Sequence, residues 1–225
     1  MALMREPMRP QPSPAIFLDK DGTLLEDVPY NVDPARIALA PGAGEGLRML
    51  AATGLPLIVV SNQPGVALGY FAEHALEGVA TRLRELFALH GATLGGFYFC
   101  PHAPTADGSI HCACRKPGDG MLRQAAAAHG LALEGSWMIG DILNDVEAGR
   151  RAGCQTILIA NGNETRWQPG PLRVPDYIVG RFDEAAAIVI AQQARHLSHV
   201  SRGSHTAPTS ATSPTSSAHH LRAVA

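Results

Sequence analysis

Residues 15–23 read Ala15-Ile16-Phe17-Leu18-Asp19-Lys20-Asp21-Gly22-Thr23, a four-residue apolar run that ends in two carboxylates and a glycine. A run of that length closed by a turn signal predicts a short buried strand. Both acids then stand at its carboxyl end, where open parallel sheets keep their ligand sites, and Gly22 lets the chain turn away sharply. Paired acids at such a point suit phosphoryl chemistry. Taken alone, the segment is also compatible with a solvated loop or a calcium-like oxygen cluster, so the rest of the chain has to decide.

Working outward, further strand-like runs follow at Leu55–Val60, Gly96–Phe99, Trp137–Ile139, Thr156–Ile159 and Asp176–Val179. Helical stretches separate them at Gly42–Thr53, Ala72–His90, Met121–His129 and Leu143–Ala152, with a last helix from Phe182 to about Arg195. Gly54, Gly91, Gly130 and Gly153 stand just past helix ends, where a left-handed cap is wanted. Alternation of this kind predicts an α/β fold, a doubly wound parallel sheet.

With 225 residues, 46% of them hydrophobic, the chain can bury one substantial core, so a single domain over residues 14–195 is expected. Residues 1–13, rich in Pro and Arg, and 196–225, rich in Ser, Thr, Ala, Pro and His, hold too little apolar surface to offset their ordering entropy and are expected to be disordered. A formal charge of −2 without basic runs argues against nucleic acid and membrane surfaces as partners. Neither a signal peptide nor a membrane span is visible, and a cytoplasmic monomer is expected.

Three further strand ends carry polar residues. Ser61-Asn62-Gln63-Pro64-Gly65 offers a hydroxyl and backbone amides to an anion, Arg115-Lys116-Pro117 offers two cations, and Gly140-Asp141 is followed by Asp145 one helical turn on. Each has an ordinary explanation: a turn, a surface basic pair, or a helix cap by Asp141 or Asn144. Jointly they would be four coincidences at successive strand ends. Of the 18 basic residues only Lys20 and Lys116 are lysines, and both lie in these segments. A compact ammonium does what the planar guanidinium fork does not.

Cys100, Cys112 and Cys114 fall within fifteen residues, and with His102 they form a Cys-x-His and Cys-x-Cys pair. In a reducing compartment four such ligands suit a structural Zn2+, with free thiols or a local disulfide as the alternatives. His111 is a rival nitrogen ligand, and Cys154 reads as a buried core thiol.

In this order, from about Ala15 to Asn163, the segments resemble the haloacid dehalogenase superfamily of phosphatases. The resemblance rests on Asp19-x-Asp21-Gly22-Thr23, Ser61, Lys116, and Gly140-Asp141 with Asp145. It implies a Rossmann-like sheet with Asp19 as nucleophile and Asp21 as general acid, then base. Ser61 and Lys116 would hold the phosphoryl group, and Mg2+ would sit on Asp19, the backbone carbonyl of Asp21, and Asp141. The chemistry asks for these groups too: a dianionic phosphate repels a carboxylate until both are neutralised.

The cysteine pairs just before Arg115-Lys116 resemble the zinc-loop group of that superfamily, which contains heptose bisphosphate and histidinol-phosphate phosphatases. The segments Asp27–Tyr30, Ser61–Phe71 and Cys100–His102 are most similar to the heptose enzymes. Pro64, Leu68 and Ile142 depart from them, standing where that family usually has Ser, Arg and Lys. Only eighteen residues separate Thr23 from Gly42, too few for a cap domain, so the site should be open. Selection of a small sugar phosphate would fall to Asp27, Tyr30, Asn62, Gln63 and Arg115. A phosphoacceptor signalling domain has similar strand ends, but Asp21 beside the nucleophile would destroy a stable phosphoenzyme.

Overall fold

The computed structural model describes residues 12–104 and 112–203, with side chains through Arg195. His111 and residues 1–11 and 204–225 of the expected termini lie outside the described residues. Six strands alternate with helices in chain order: β1 (Ser13–Leu18), α1 (Ala43–Ala51), β2 (Leu57–Asn62), α2 (Ala75–Leu89), β3 (Leu94–Cys100), α3 (Gly120–His129), β4 (Leu131–Gly140), α4 (Leu143–Ala152), β5 (Gln155–Ile159), β6 (Tyr177–Val179) and α5 (Phe182–Gly203). They form one sheet in the order β3-β2-β1-β4-β5-β6, parallel throughout. This is the doubly wound arrangement expected from the sequence. The winding reverses between β1 and β4, the point at which such sheets leave a crevice.

Period-two alternation along β1 explains the two layers. Ile16 and Leu18 face one core with Leu57, Val59, Ile139 and Ile157, covered by Leu47 and Leu50 of α1, Val79 and Phe87 of α2, and Phe182 and Val189 of α5. Ala15 and Phe17 face the other, with Ile58, Val60 and Met138 under Met121 and Leu122 of α3 and Ala148 of α4. Cys154 is buried in this second layer, as expected, and burial pushes its thiol up to about 12. All four glycines proposed as helix stops have positive φ.

Most boundaries move by up to three residues, and two differ by more. β4 begins at Leu131 rather than Trp137, because its first residues pair with Ser13 and Pro14 before a register shift. The last helix continues to Gly203, eight residues past Arg195. Ala194, Leu197 and Val200 keep helical spacing there, and no Pro or Gly interrupts until Gly203. By internal contacts the chain divides into units 1–191 and 192–225, the described part of the second being the end of α5. Among the described residues no helix is long and apolar enough to cross a membrane. Only a single 3-10 turn, Pro34–Arg36, lies between β1 and α1, so no cap domain covers the strand ends.

Candidate active site

Asp19 follows the last residue of β1, and its amide donates to the Ile139 carbonyl of β4, which fixes it at the switch point. Beside it lie Asp141 and Asp145, and carboxylate oxygens of the three approach within 4.8 Å of one another. All three are buried. Among them stands the Lys116 ammonium, ion-paired with Asp19, 2.7 Å from Asp145 Oδ1, and donating to the Val60 carbonyl at 2.9 Å. Two of its contacts, to Asp19 and the Val60 carbonyl, are hydrogen bonds, and the third, to Asp145, is an ion pair.

The cluster carries two negative charges more than Lys116 balances, because the other lysine, Lys20, is held 2.5 Å from Asp21. Burying unbalanced carboxylates is costly, and their proton affinities register it. Burial pushes Asp19 well above the usual carboxylate range; Lys116 pulls it down, while Asp145 and Asp141 push it further up. Burial, then Asp145, raises Asp141 to about 6. For Lys116, burial favours the neutral amine, yet Asp145 and Asp19 together hold the ammonium above its ordinary value. Asp145 Oδ1, though ion-paired, accepts no aligned hydrogen bond. An all-oxygen donor set with excess negative charge suits a hard divalent cation.

Asp141 does not cap α4. Glu164 accepts from the Leu143 amide at 2.8 Å and Asp145 from the Ile142 amide at 3.3 Å, so the helix start is served without it. Asp141 instead faces β1, accepting from Thr23 Oγ1 at 3.1 Å and Asn163 Nδ2 at 2.7 Å. Gly22 makes that approach possible. Its φ is +79°, and a Cβ there would fall 2.2 Å from Asp141 Oδ2 and 2.3 Å from Asn163 Nδ2.

Asp21 is about one-third exposed, and its second oxygen accepts from Gln63 Nε2 at 3.0 Å. Gln63 also donates to Ser61 Oγ at 2.8 Å, bracing the ends of β1 and β2 together. Asn62 does something the sequence did not suggest. Its side-chain amide pairs with the Lys116 backbone in both directions, each bond 3.0 Å, and so ties the cysteine-rich loop to β2. A cavity of about 190 Å³ opens over the cluster, lined among others by Asp19, Asp21, Asp27, Ser61, Asn62 and Lys116. Ile142 and Asn163 also border it, whereas Tyr30, Gln63 and Arg115 do not. The Arg115 guanidinium donates to the His102 carbonyl at 3.1 Å.

Asn161 and Asn163 were missed by sequence reasoning. Asn161 donates to the Gly22 carbonyl at 2.6 Å, so the loop after β5 supports the turn after β1. Asn-Gly-Asn after a strand reads as turn punctuation, and only the adjacency of β4 and β5 brings it to the acids.

The second cluster lies at the end of β3. Cys100 Sγ is 3.4 Å from His102 Nδ1, 3.7 Å from Cys112 Sγ and 3.3 Å from Cys114 Sγ, and Cys114 is 3.3 Å from His102 Nδ1. Disulfides require sulfurs about 2.05 Å apart. Ligands about 2.0–2.3 Å from a tetrahedral zinc would stand roughly 3.3–3.8 Å from each other, which these distances match. Burial pushes Cys100 up to about 12 in the metal-free cluster.

A family model described as HAD-hydrolase-like matches residues 113–185. The D-glycero-beta-D-manno-heptose-1,7-bisphosphate 7-phosphatase of Pseudomonas aeruginosa is 37% identical over 177 residues, covering 78% of this chain and 96% of that protein. The chain belongs to the heptose-bisphosphate phosphatase family of HAD-like hydrolases. It is a phosphatase by that membership. The family's Thermosynechococcus vestitus member is likewise 37% identical, over 79% of this chain and 94% of its own. A crystal structure of the B. bronchiseptica D,D-heptose 1,7-bisphosphate phosphatase, complexed with magnesium and phosphate, matches with a TM-score of 0.69 and 28% identity, covering 80% of this chain and 99% of that one.

Proposed function

We propose that this phosphatase removes the 7-phosphate of D-glycero-D-manno-heptose 1,7-bisphosphate through a phosphorylated Asp19. The observation that carries the reading is the buried Asp19, held against Lys116 in a pocket lined by Ser61 and Asp21. The family relatives named above support the substrate.

In this reading the Asp19 carboxylate attacks phosphorus, and the bond to the sugar oxygen breaks as Asp21 gives that oxygen its proton. Water then attacks the phosphorylated Asp19, loses a proton to Asp21, and the bond from phosphorus to Asp19 breaks. Asp21 suits both steps because it is partly exposed while Asp19 is not. Lys116, with Ser61 beside it, neutralises and orients the phosphoryl oxygens. Mg2+ fits the oxygen-only donor set and charge excess; Asp19, Asp141 and the Asp21 carbonyl would hold it, and it supplies further charge neutralisation. Zn2+ on Cys100, His102, Cys112 and Cys114 would stiffen the loop that delivers Lys116 and Arg115. The acting unit is taken as residues 14–195.

The non-reacting phosphate stays outside the small cavity, within reach of the loop carrying Arg115. Phosphate release measured with the heptose bisphosphate, histidinol phosphate and simple phosphomonoesters tests the assignment. The highest kcat/KM is expected for the heptose bisphosphate; a higher value for histidinol phosphate would overturn the substrate and leave the chemistry standing.

A further inference from the structure

Two exposed tyrosines, distant in sequence, meet in the structure. The rings of Tyr30 and Tyr70 lie with centroids 4.5 Å apart and planes tilted by 51°, although Tyr30 is 48% and Tyr70 64% exposed. Forty residues separate them. Leaving two large rings in water forgoes burial, and among the described residues neither hydroxyl is hydrogen-bonded to another group of the chain. Tyr30 also has φ +55°, a left-handed conformation that is strained for a residue with a Cβ.

Both tyrosines sit on segments that start at the pocket. Asp27, three residues before Tyr30, lines it, and so does Asn62, at the head of the turn that leads to Tyr70. That turn is braced: Gln63 donates to the Cys100 carbonyl, Ala67 to the Pro101 carbonyl, and Tyr70 to the Gly65 carbonyl, while Phe71 packs on Gly65. The pocket itself offers charged and polar groups suited to a phosphoryl group, with Ile142 as an apolar border. It has little to grip the carbon chain of a sugar.

We propose that Tyr70, packed at a tilt against Tyr30, is a specificity-determining residue that receives the non-reacting polyol part of the substrate on its aromatic face. This rests on the sugar-phosphate reading above and deepens it. A rigid aromatic body with a polar tip suits a surface of alternating C–H and O–H groups, and a contact made equally in the ground and transition states lowers KM without raising kcat. Tyr30 acts through the same ring contact, holding the Tyr70 ring in place.

The test compares wild type, Tyr70→Phe and Tyr70→Ala with the heptose bisphosphate and with acetyl phosphate, which carries a phosphoryl group but no polyol. Tyr70→Ala is expected to raise KM for the sugar about tenfold with kcat changed less than about twofold, to leave acetyl phosphate unaffected, and to be largely rescued by Tyr70→Phe. An unchanged sugar KM, or an equal rise for acetyl phosphate, overturns the proposal. The wild-type arm reads the substrate separately. If it turns over another sugar phosphate instead, the heptose assignment fails, and the same KM comparison on that sugar still decides the role of Tyr70.

Discussion

At the ends of β1 and β4 three carboxylates crowd one ammonium beneath an open cavity, whereas at the end of β3 three thiols and an imidazole close on each other with no carboxylate among them. The first cluster is hard and carries excess charge; the second is soft and compact. By donor chemistry the first suits a hard, exchangeable divalent cation and the second a resident structural one. The two are joined by a short path. Cys114 is two residues from Lys116, whose backbone is clamped by Asn62. The cysteine-rich loop and the Lys116 ammonium are thereby held to the same strand end.

Removing the nucleophile should separate the clusters most completely. Asp19→Asn keeps the shape but not the nucleophile, and turnover is expected to fall by more than about 10⁴-fold with zinc content unchanged. Near-normal turnover would remove the covalent route. Asp141→Ala deletes one of few oxygen ligands, and a titration of activity against Mg2+ is expected to shift to concentrations roughly 10–100-fold higher. Elemental analysis of the same variant should still find one zinc per chain.

Cys112→Ser attacks the other cluster. Loss of zinc is expected, with a lower thermal midpoint and activity reduced by about tenfold, because Lys116 and Arg115 lose their anchor while Asp19 keeps its place. Excess Mg2+ should not restore the rate. Unchanged zinc content in this variant would contradict the ligand assignment.

The smallest expected effect is on stability. In the metal-free protein Asp141 rises from its ordinary 3.8 to about 6, and Asp19 is raised as well. Between those values the folded chain holds protons that the unfolded chain has lost, so these groups make stability fall as pH rises from about 4 to about 6, and contribute no further change from Asp141 above that. Thermal melts of metal-free protein should show this fall, and saturating Mg2+ should abolish it by favouring the ionised carboxylates.

Much of this was legible in the chain because it is local. The run ending at Asp19, the Gly-stopped helices and the Cys-x-His and Cys-x-Cys pairs each carry their signal within a few residues. Ser61, Asp141 and Asp145 could be named because each ends a strand or follows one closely, and Lys116 because it is one of only two lysines and follows the cysteine pairs. What escaped depends on distant pairing. Asn62 meets Lys116 across 54 residues and Asn161 meets Gly22 across 139, and an Asn in a turn looks the same with or without such a partner. The start of β4 was hidden because Gly135 breaks the apolar run that Ser13 and Pro14 complete by pairing. The Arg115 guanidinium, expected to grip a second anion, donates to the His102 carbonyl outside the cavity, a contact that spans 13 residues.

The covalent role of Asp19 is tested most directly by trapping it. Protein mixed with the heptose bisphosphate and Mg2+, quenched in acid within one turnover and reduced with borohydride, converts a phosphorylated aspartate to homoserine, which peptide mass spectrometry locates. Homoserine at position 19, absent from unreacted protein and from Asp21-containing fragments cleaved free of residue 19, is the expected result. A turnover-competent sample with unmodified Asp19 would contradict the central claim.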